Sequence, residues 1–329
     1  MRFTIRRATL AGAAIFALAL TSCAANGPGT GTETEAAADG KISIVASTNT
    51  YSDIAAAIGG ERVAATAIID NTSQDPHSYE GTARDRLALS EADLIIRNGG
   101  GFDPFMEQLA AEDSTAPVID AVETSGLGEA ETAAEEEAAE DAHAGETAEE
   151  HAAHGAVNEH VWYSLPAISR VAEEITKELS GIDPDNAAEY EANAAAFTED
   201  IDALEERVTQ LRGQHEGKAI AATAPLAEHL LTDTGLVDET PKDFLAAIEA
   251  GNDAPPAALK EAQDLVTAGK IALLAYNSQV EGPQSQGLKA AADEAGVPVV
   301  DFSETLPEGV SYQDWMGSNL DQLETALNR

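Results

Sequence analysis

Two histidines stand where the chain breaks its own pattern. His77 lies in QDPHSYE, just beyond a β-branched run, where Asp75 and Pro76 interrupt regular structure. That leaves the imidazole at the carboxyl end of an expected strand, the edge at which open α/β sheets bind ligands. His160 lies in NEHVWYS, where an acidic stretch gives way to an aromatic pair and then to a helix opened by Pro166. Near the other end, Asp301 and Glu304 follow the apolar run of VPVVDFSETLPEG, and Asn277 and Gln279 follow the run before it. Imidazole nitrogen with carboxylate oxygen is the donor set of zinc and, when oxygen predominates, of manganese. Each residue taken singly is compatible with a solvated or capping role, so these positions form a candidate metal set drawn from both halves of the chain.

Composition narrows what such a set could serve. Eighteen Lys plus Arg against 59 Asp plus Glu give a net charge of −41, which repels phosphate backbones, so no nucleic-acid partner is expected. One cysteine allows neither an internal disulfide nor a thiolate cluster. The chain has no HExxH, no G-x-S-x-G and no Gly-rich phosphate loop. A surface metallohydrolase using the same donors with an open coordination position is one alternative function, and a surface adhesin is another.

The elements that must position these residues read as α/β. Short β-branched runs at 42–48, 63–70, 93–99 and 117–122 alternate with helical stretches, and the pattern returns at 218–223, 244–250, 271–277 and 297–303. Such alternation favours parallel sheets covered by helices. Two similar lobes are expected, each a four-stranded, mainly parallel sheet flanked by helices, over residues 41–182 and 214–329. Between them, residues 183–213 predict one long rigid connecting helix, with Asp183 as N-cap, Pro184 in the first turn and Gly213 as the stop. Tyr190, Ala194, Phe197, Ile201, Leu204, Val208 and Leu211 keep one apolar stripe along it, over a length of roughly 43 Å. Trp162, Tyr163 and Trp315 are expected to pack the lobes.

Residues 1–22 combine Arg2, Arg6 and Arg7 with an apolar run from Ala8 to Leu20, the pattern of a secretory signal. Leu20-Thr21-Ser22-Cys23 resembles the bacterial lipoprotein cleavage box, which implies lipidation of Cys23. Residues 23–40 are small and polar and read as a flexible tether. The acidic stretch 129–159 is expected to form a loop within the first lobe, since low complexity with so much like charge cannot fill a core.

A lipoprotein signal, DPHSYE after the second strand, NEHVWY before a long helix, YNSQVEGP and ETLPEGVSYQDWM together resemble the substrate-binding lipoproteins of bacterial zinc and manganese ABC transporters. The resemblance covers residues 41–329. It implies one divalent metal held between two lobes by about four side chains; the Irving–Williams order and the histidines of the acidic stretch rank Zn²⁺ above Mn²⁺. It also implies delivery to a membrane permease with its ATPase, by a monomer lipid-anchored to the outer face of the cell membrane. By motif, His77 and His160 are the first-lobe ligands; Glu304 is the second-lobe carboxylate, with Asp301 as its substitute. At the position of a third ligand, after the strand opening the second lobe, this chain has Ala224. Either water completes the shell, or Glu228 or His229 turns inward. If a helix starts at Pro225, Glu228 returns to nearly the face of Ala224, whereas His229 points about 140° away. The resemblance further suggests that His143, His151 and His154 of the acidic stretch capture metal weakly, the alternative being a spacer.

Overall fold

The computed structural model describes residues 40–110, 114–128 and 158–329. The signal segment, Cys23 and the histidines 143, 151 and 154 lie outside the described residues. No helix among the described residues is long and apolar enough to cross a membrane.

The first sheet comprises β1 (Ile42–Thr48), β2 (Val63–Ile69), β3 (Leu94–Arg97) and β4 (Val118–Asp120) in the order β2-β1-β3-β4, every neighbour parallel. Its helices are α1 (Asn49–Gly59), α2 (Ala83–Ser90), α3 (Pro104–Ala110), α4 (Ala121–Ser125) and α5 (Leu165–Ile182). Ile44, Leu94, Ile95 and Ile96 are fully buried, as the central strands of a sheet covered on both faces must be. The second sheet repeats the plan: β5 (Ala219–Ala222), β6 (Val237–Asp238), β7 (Leu274–Asn277) and β8 (Val299–Phe302) run parallel in the order β6-β5-β7-β8.

Between the sheets runs α6 (Ala187–His215). A 3-10 turn at Pro184–Asn186 precedes it, and Asp183 accepts hydrogen bonds there from Asn186 Nδ2 (2.7 Å) and Tyr190 Oη (2.9 Å). The helix passes through Gly213 instead of stopping at it, because one glycine inside a packed helix costs only about 1 kcal/mol. Tyr190, Phe197, Ile201, Leu204, Val208 and Leu211 of the expected stripe are buried.

The remaining helices are α7 (Glu228–Asp233), α8 (Lys242–Glu249), α9 (Pro256–Thr267), α10 (Pro283–Ala295) and α11 (Tyr312–Leu327). The stretch 244–250, expected as a strand, is therefore helical. Phe244, Leu245 and Ile248 recur at helical spacing, Pro241 precedes them and Gly251 follows, which is a helix pattern with its terminators. The sixth strand is instead the two-residue β6.

Both halves contribute to one hydrophobic core. Tyr163 packs 5.7 Å from Phe302 and 5.4 Å from Trp315, ring centroid to ring centroid. Tyr163 Oη donates to the Ser303 carbonyl at 2.9 Å, and Tyr312 Oη donates to that of Trp162 at 2.7 Å. The buried aromatics thus join the lobes while satisfying their own hydroxyls.

Candidate metal centre

Glu249 and Glu304 reach the centre from the ends of α8 and β8, His77 from the loop after β2, and His160 from the residue that opens a 3-10 turn. His77 sits in a turn after β2, where Asp75 accepts from the His77 backbone N–H (3.0 Å) and the Ser78 hydroxyl (2.8 Å). This is the local bonding for which Asp is favoured in turns. The ring lies edge-on to Phe102, centroids 4.9 Å apart. Phe102 is itself aimed by the Gly99-Gly100-Gly101 loop. Gly99 has φ +78°, and a Cβ there would lie 2.2 Å from a carboxylate oxygen of Asp120. Asp103 holds the same loop by accepting from the backbone N–H groups of Asn98 (2.7 Å) and Gly99 (2.9 Å).

His160 caps the 3-10 turn Val161–Tyr163 and is fully buried. Its backbone N–H donates to Asn158 Oδ1 at 3.0 Å, and its Nδ1 lies 2.8 Å from the same oxygen. Asn158 Nδ2 donates to the Pro225 carbonyl (2.9 Å) and to Glu228 (2.8 Å), so Oδ1 is the acceptor and Nδ1 carries the proton. Nε2, the nitrogen left for a metal, faces Glu304 Oε2 at 3.4 Å and Glu249 Oε1 at 3.7 Å.

Glu304 follows β8 and is buried; Asn277, at the end of β7, donates to its Oε1 at 2.7 Å. Gln279 accepts from the backbone N–H groups of Glu304 (2.9 Å) and Thr305 (3.1 Å), and its Nε2 donates to the Gln74 carbonyl of the first half at 2.7 Å. Glu249, the last residue of α8, sets Oε1 3.8 Å from His77 Nε2. His77, His160 and Glu249 each offer a donor atom within 4.8 Å of the others. A tetrahedral zinc with bonds of about 2.0–2.2 Å needs donors roughly 3.3–3.6 Å apart. The distances found, 3.4, 3.7 and 3.8 Å, are close to that requirement.

The electrostatics are those of a charged cluster withdrawn from water. Burial alone would lower the His160 pKa, but the Glu304 carboxylate, with Glu249 and Glu159 behind it, overcomes burial and pushes the imidazole up to about 9. Glu304 shows the reverse balance: burial raises its carboxyl, yet His160 and then His77 hold it below the ordinary value. Glu249 is raised by burial, with His160 opposing. His160 Nε2, Glu249 Oε1 and Glu304 Oε2 are buried and have no hydrogen-bond partner. Buried polar atoms are nearly always satisfied, and three orphans facing one another are suited to receive a cation. A divalent ion with two carboxylates and two neutral imidazoles would make the centre electrically neutral, which lowers the cost of burying it.

Of the residues singled out from the sequence, His77, His160 and Glu304 come together, with Asn277 and Gln279 supporting Glu304. Asp301 does not join them. It lies on β8, where successive side chains alternate between faces, and it pairs with Lys289 of α10 at 2.9 Å on the exposed side. Glu228 and His229 also stay out: Glu228 accepts from Asn158, and His229 Nε2 lies 3.0 Å from the Asn158 carbonyl, to which it must donate. Both support His160 indirectly through Asn158. Burial lowers the His229 pKa, in keeping with a neutral donor. Sequence reasoning missed Glu249, because residues 244–250 read as a strand. Their helical spacing was the signal that could have placed a carboxylate at the end of α8.

A cavity of about 370 Å³ opens onto these donors, lined by His77, Ala224, Glu249, Asn277 and Glu304 among others. It lies beside the carboxyl ends of β5 and β7, where the strand order of the second sheet reverses, the usual ligand position in such sheets.

Known proteins resemble this chain in sequence and fold to differing extents. The manganese-binding lipoprotein MntA of Halalkalibacterium halodurans is 29% identical over 192 residues, which cover 58% of this chain and 55% of that relative. The manganese ABC transporter substrate-binding lipoprotein PsaA of Streptococcus mitis is 24% identical over 314 residues, 89% of this chain and 91% of the relative. The solved structure of the periplasmic zinc binding protein TroA from Treponema pallidum superposes with a TM-score of 0.70 at 19% identity, over 88% of this chain and 100% of that one. At that identity the likeness is one of fold. Residues 44–326 match the family model described as ZnuA, zinc-uptake complex component A periplasmic, and the chain belongs to that family.

Proposed function

We propose that this chain is the extracytoplasmic receptor of a metal ABC importer, which captures Zn²⁺ as its cargo and delivers it to a permease driven by an ATPase. The observation that carries the reading is the convergence of buried, unpartnered donor atoms on His160, Glu249 and Glu304 with His77 beside them. Two imidazoles favour zinc, and zinc binds such donor sets more tightly than manganese by the Irving–Williams order. The names of its relatives, a zinc-uptake component and manganese-binding lipoproteins, support a transport role and leave the cargo between these two ions. Manganese is the second reading, favoured by the two carboxylates, whose four oxygens would suit an oxygen-rich shell. The receptor is a monomer tethered through a lipid on Cys23, and its donors serve capture instead of catalysis.

Competition titration of the full chain against a chromogenic chelator, with Zn²⁺ and with Mn²⁺, tests the cargo. One equivalent of zinc bound more tightly than manganese is expected. Equal or tighter manganese binding would reverse the ranking, and no tight binding of either ion would end the receptor reading.

A further inference from the structure

We propose that Glu249, carried on the end of α8, is the metal ligand that takes the place left vacant at Ala224, so that the second lobe supplies two carboxylates from two unrelated elements. The inference rests on the receptor reading above and adds to it the donor that completes the shell.

Three observations lead there. Ala224, just after β5, lines the same cavity as Glu249, and its methyl group leaves that side of the cavity without a donor of its own. Glu249 Oε1 occupies the neighbourhood instead, within 3.8 Å of both histidine Nε2 atoms, and no hydrogen bond in the protein uses it. The other acid and imidazole near Ala224 are engaged, since Glu228 and His229 both bond to Asn158.

The rest of the Glu249 side chain is about a quarter exposed, but its Oε1 is shielded from solvent and unpaired, and a carboxylate oxygen so held costs folding free energy. A purely structural glutamate would not be arranged in this way, whereas a ligand awaiting its cation would be. Functional sites commonly carry such a cost in the unloaded protein. The choice of donor also bears on selectivity: an oxygen at this position makes the set two nitrogens and two carboxylates, whereas an imidazole after β5 would make it three nitrogens and one carboxylate. The former binds manganese relatively better and the latter zinc.

The test measures Zn²⁺ affinity by chelator competition in the full chain and, separately, the thermal midpoint of the metal-free protein. Glu249→Gln, which keeps the shape and removes the charge, should weaken zinc by more than the roughly 10- to 100-fold expected for losing an outer partner. It should leave the metal-free midpoint unchanged or raised. Adding Ala224→His to Glu249→Gln should recover zinc binding and widen the preference for zinc over manganese. Cobalt-loaded protein should show altered visible bands in Glu249→Gln, because the shell itself has changed. If Glu249→Gln binds zinc like the unaltered chain while His77→Ala loses it, the centre stands and Glu249 is no ligand. If His77→Ala and His160→Ala also bind normally, the receptor reading has failed as well. A metal-free midpoint that falls sharply in Glu249→Gln would make its role structural and overturn the proposal.

Discussion

Asn158 Oδ1 receives the Nδ1 proton of His160 at 2.8 Å while Asn158 Nδ2 reaches Glu228 and the Pro225 carbonyl of the second half. One amide thus sets the tautomer of a buried donor and ties it across the lobes. Partners of this kind orient a metal-binding imidazole and raise its basicity.

Asn158→Ala should therefore lower zinc affinity by about 10- to 100-fold although Asn158 touches no metal. Asn158→Asp, which keeps the acceptor for Nδ1, should lose less. Chelator competition on the two variants distinguishes them, and equal losses would show that the tautomer is not what Asn158 controls.

The pKa of His160, about 9 in the metal-free protein, moves proton competition above neutrality; the ordinary histidine value near 6.5 would have placed it below. Metal binds only the neutral ring, so between pH 7 and 9 each ion displaces about one proton, and apparent affinity should rise about tenfold per pH unit. Stability of the metal-free protein should run the other way. A histidine raised in the folded state contributes stabilisation that is complete below its unfolded pKa and is lost as pH rises through the folded value. Titrating affinity and thermal midpoint over the same range checks both signs; an affinity flat above pH 7 would show that His160 is already neutral there.

Glu304 and Asp301 stand three residues apart and should behave oppositely. Glu304→Gln removes a buried donor and should weaken zinc binding by orders of magnitude. Asp301→Ala breaks only the exposed pair with Lys289, a contact worth about 0–1 kcal/mol, and should leave zinc affinity within about twofold. Calorimetric titration of the two variants is sufficient, and a large loss in Asp301→Ala would reassign the carboxylate.

Gln279 links the lobes through Gln74 and holds the backbone that presents Glu304. Gln279→Ala would strand two backbone N–H groups, so the metal-free protein should lose about 1–3 kcal/mol and zinc affinity should fall with it. Urea unfolding with and without zinc measures the two effects. An unchanged unfolding midpoint would mean that water replaces the amide without cost.

The parts of this protein legible in its sequence are those set by local chemistry. Short β-branched runs marked seven of the eight strands among the described residues, because a sheet buried on both faces demands apolar residues over short spans. The 3-4 spacing from Tyr190 to Leu211 marked α6, and the breakers Asp75 and Pro76 marked the turn that carries His77. His160 was legible as a candidate donor beside an aromatic pair, and in DFSETLP the resemblance favoured Glu304 with Asp301 as its substitute, whereas local pattern alone left both acids open. Those decisions belonged to the tertiary structure. Asp301 is turned outward by the face of β8 on which it meets Lys289 of α10, whereas Glu304, beyond the strand's end, is buried against Asn277. Glu228 and His229 are drawn to Asn158, about 70 residues earlier in the chain. Glu249 meets His77 and His160 only because α8 ends at the mouth of a cavity built by both lobes. Local periodicity specifies an element and its buried face, but the convergence of donors depends on how elements distant in sequence pack together.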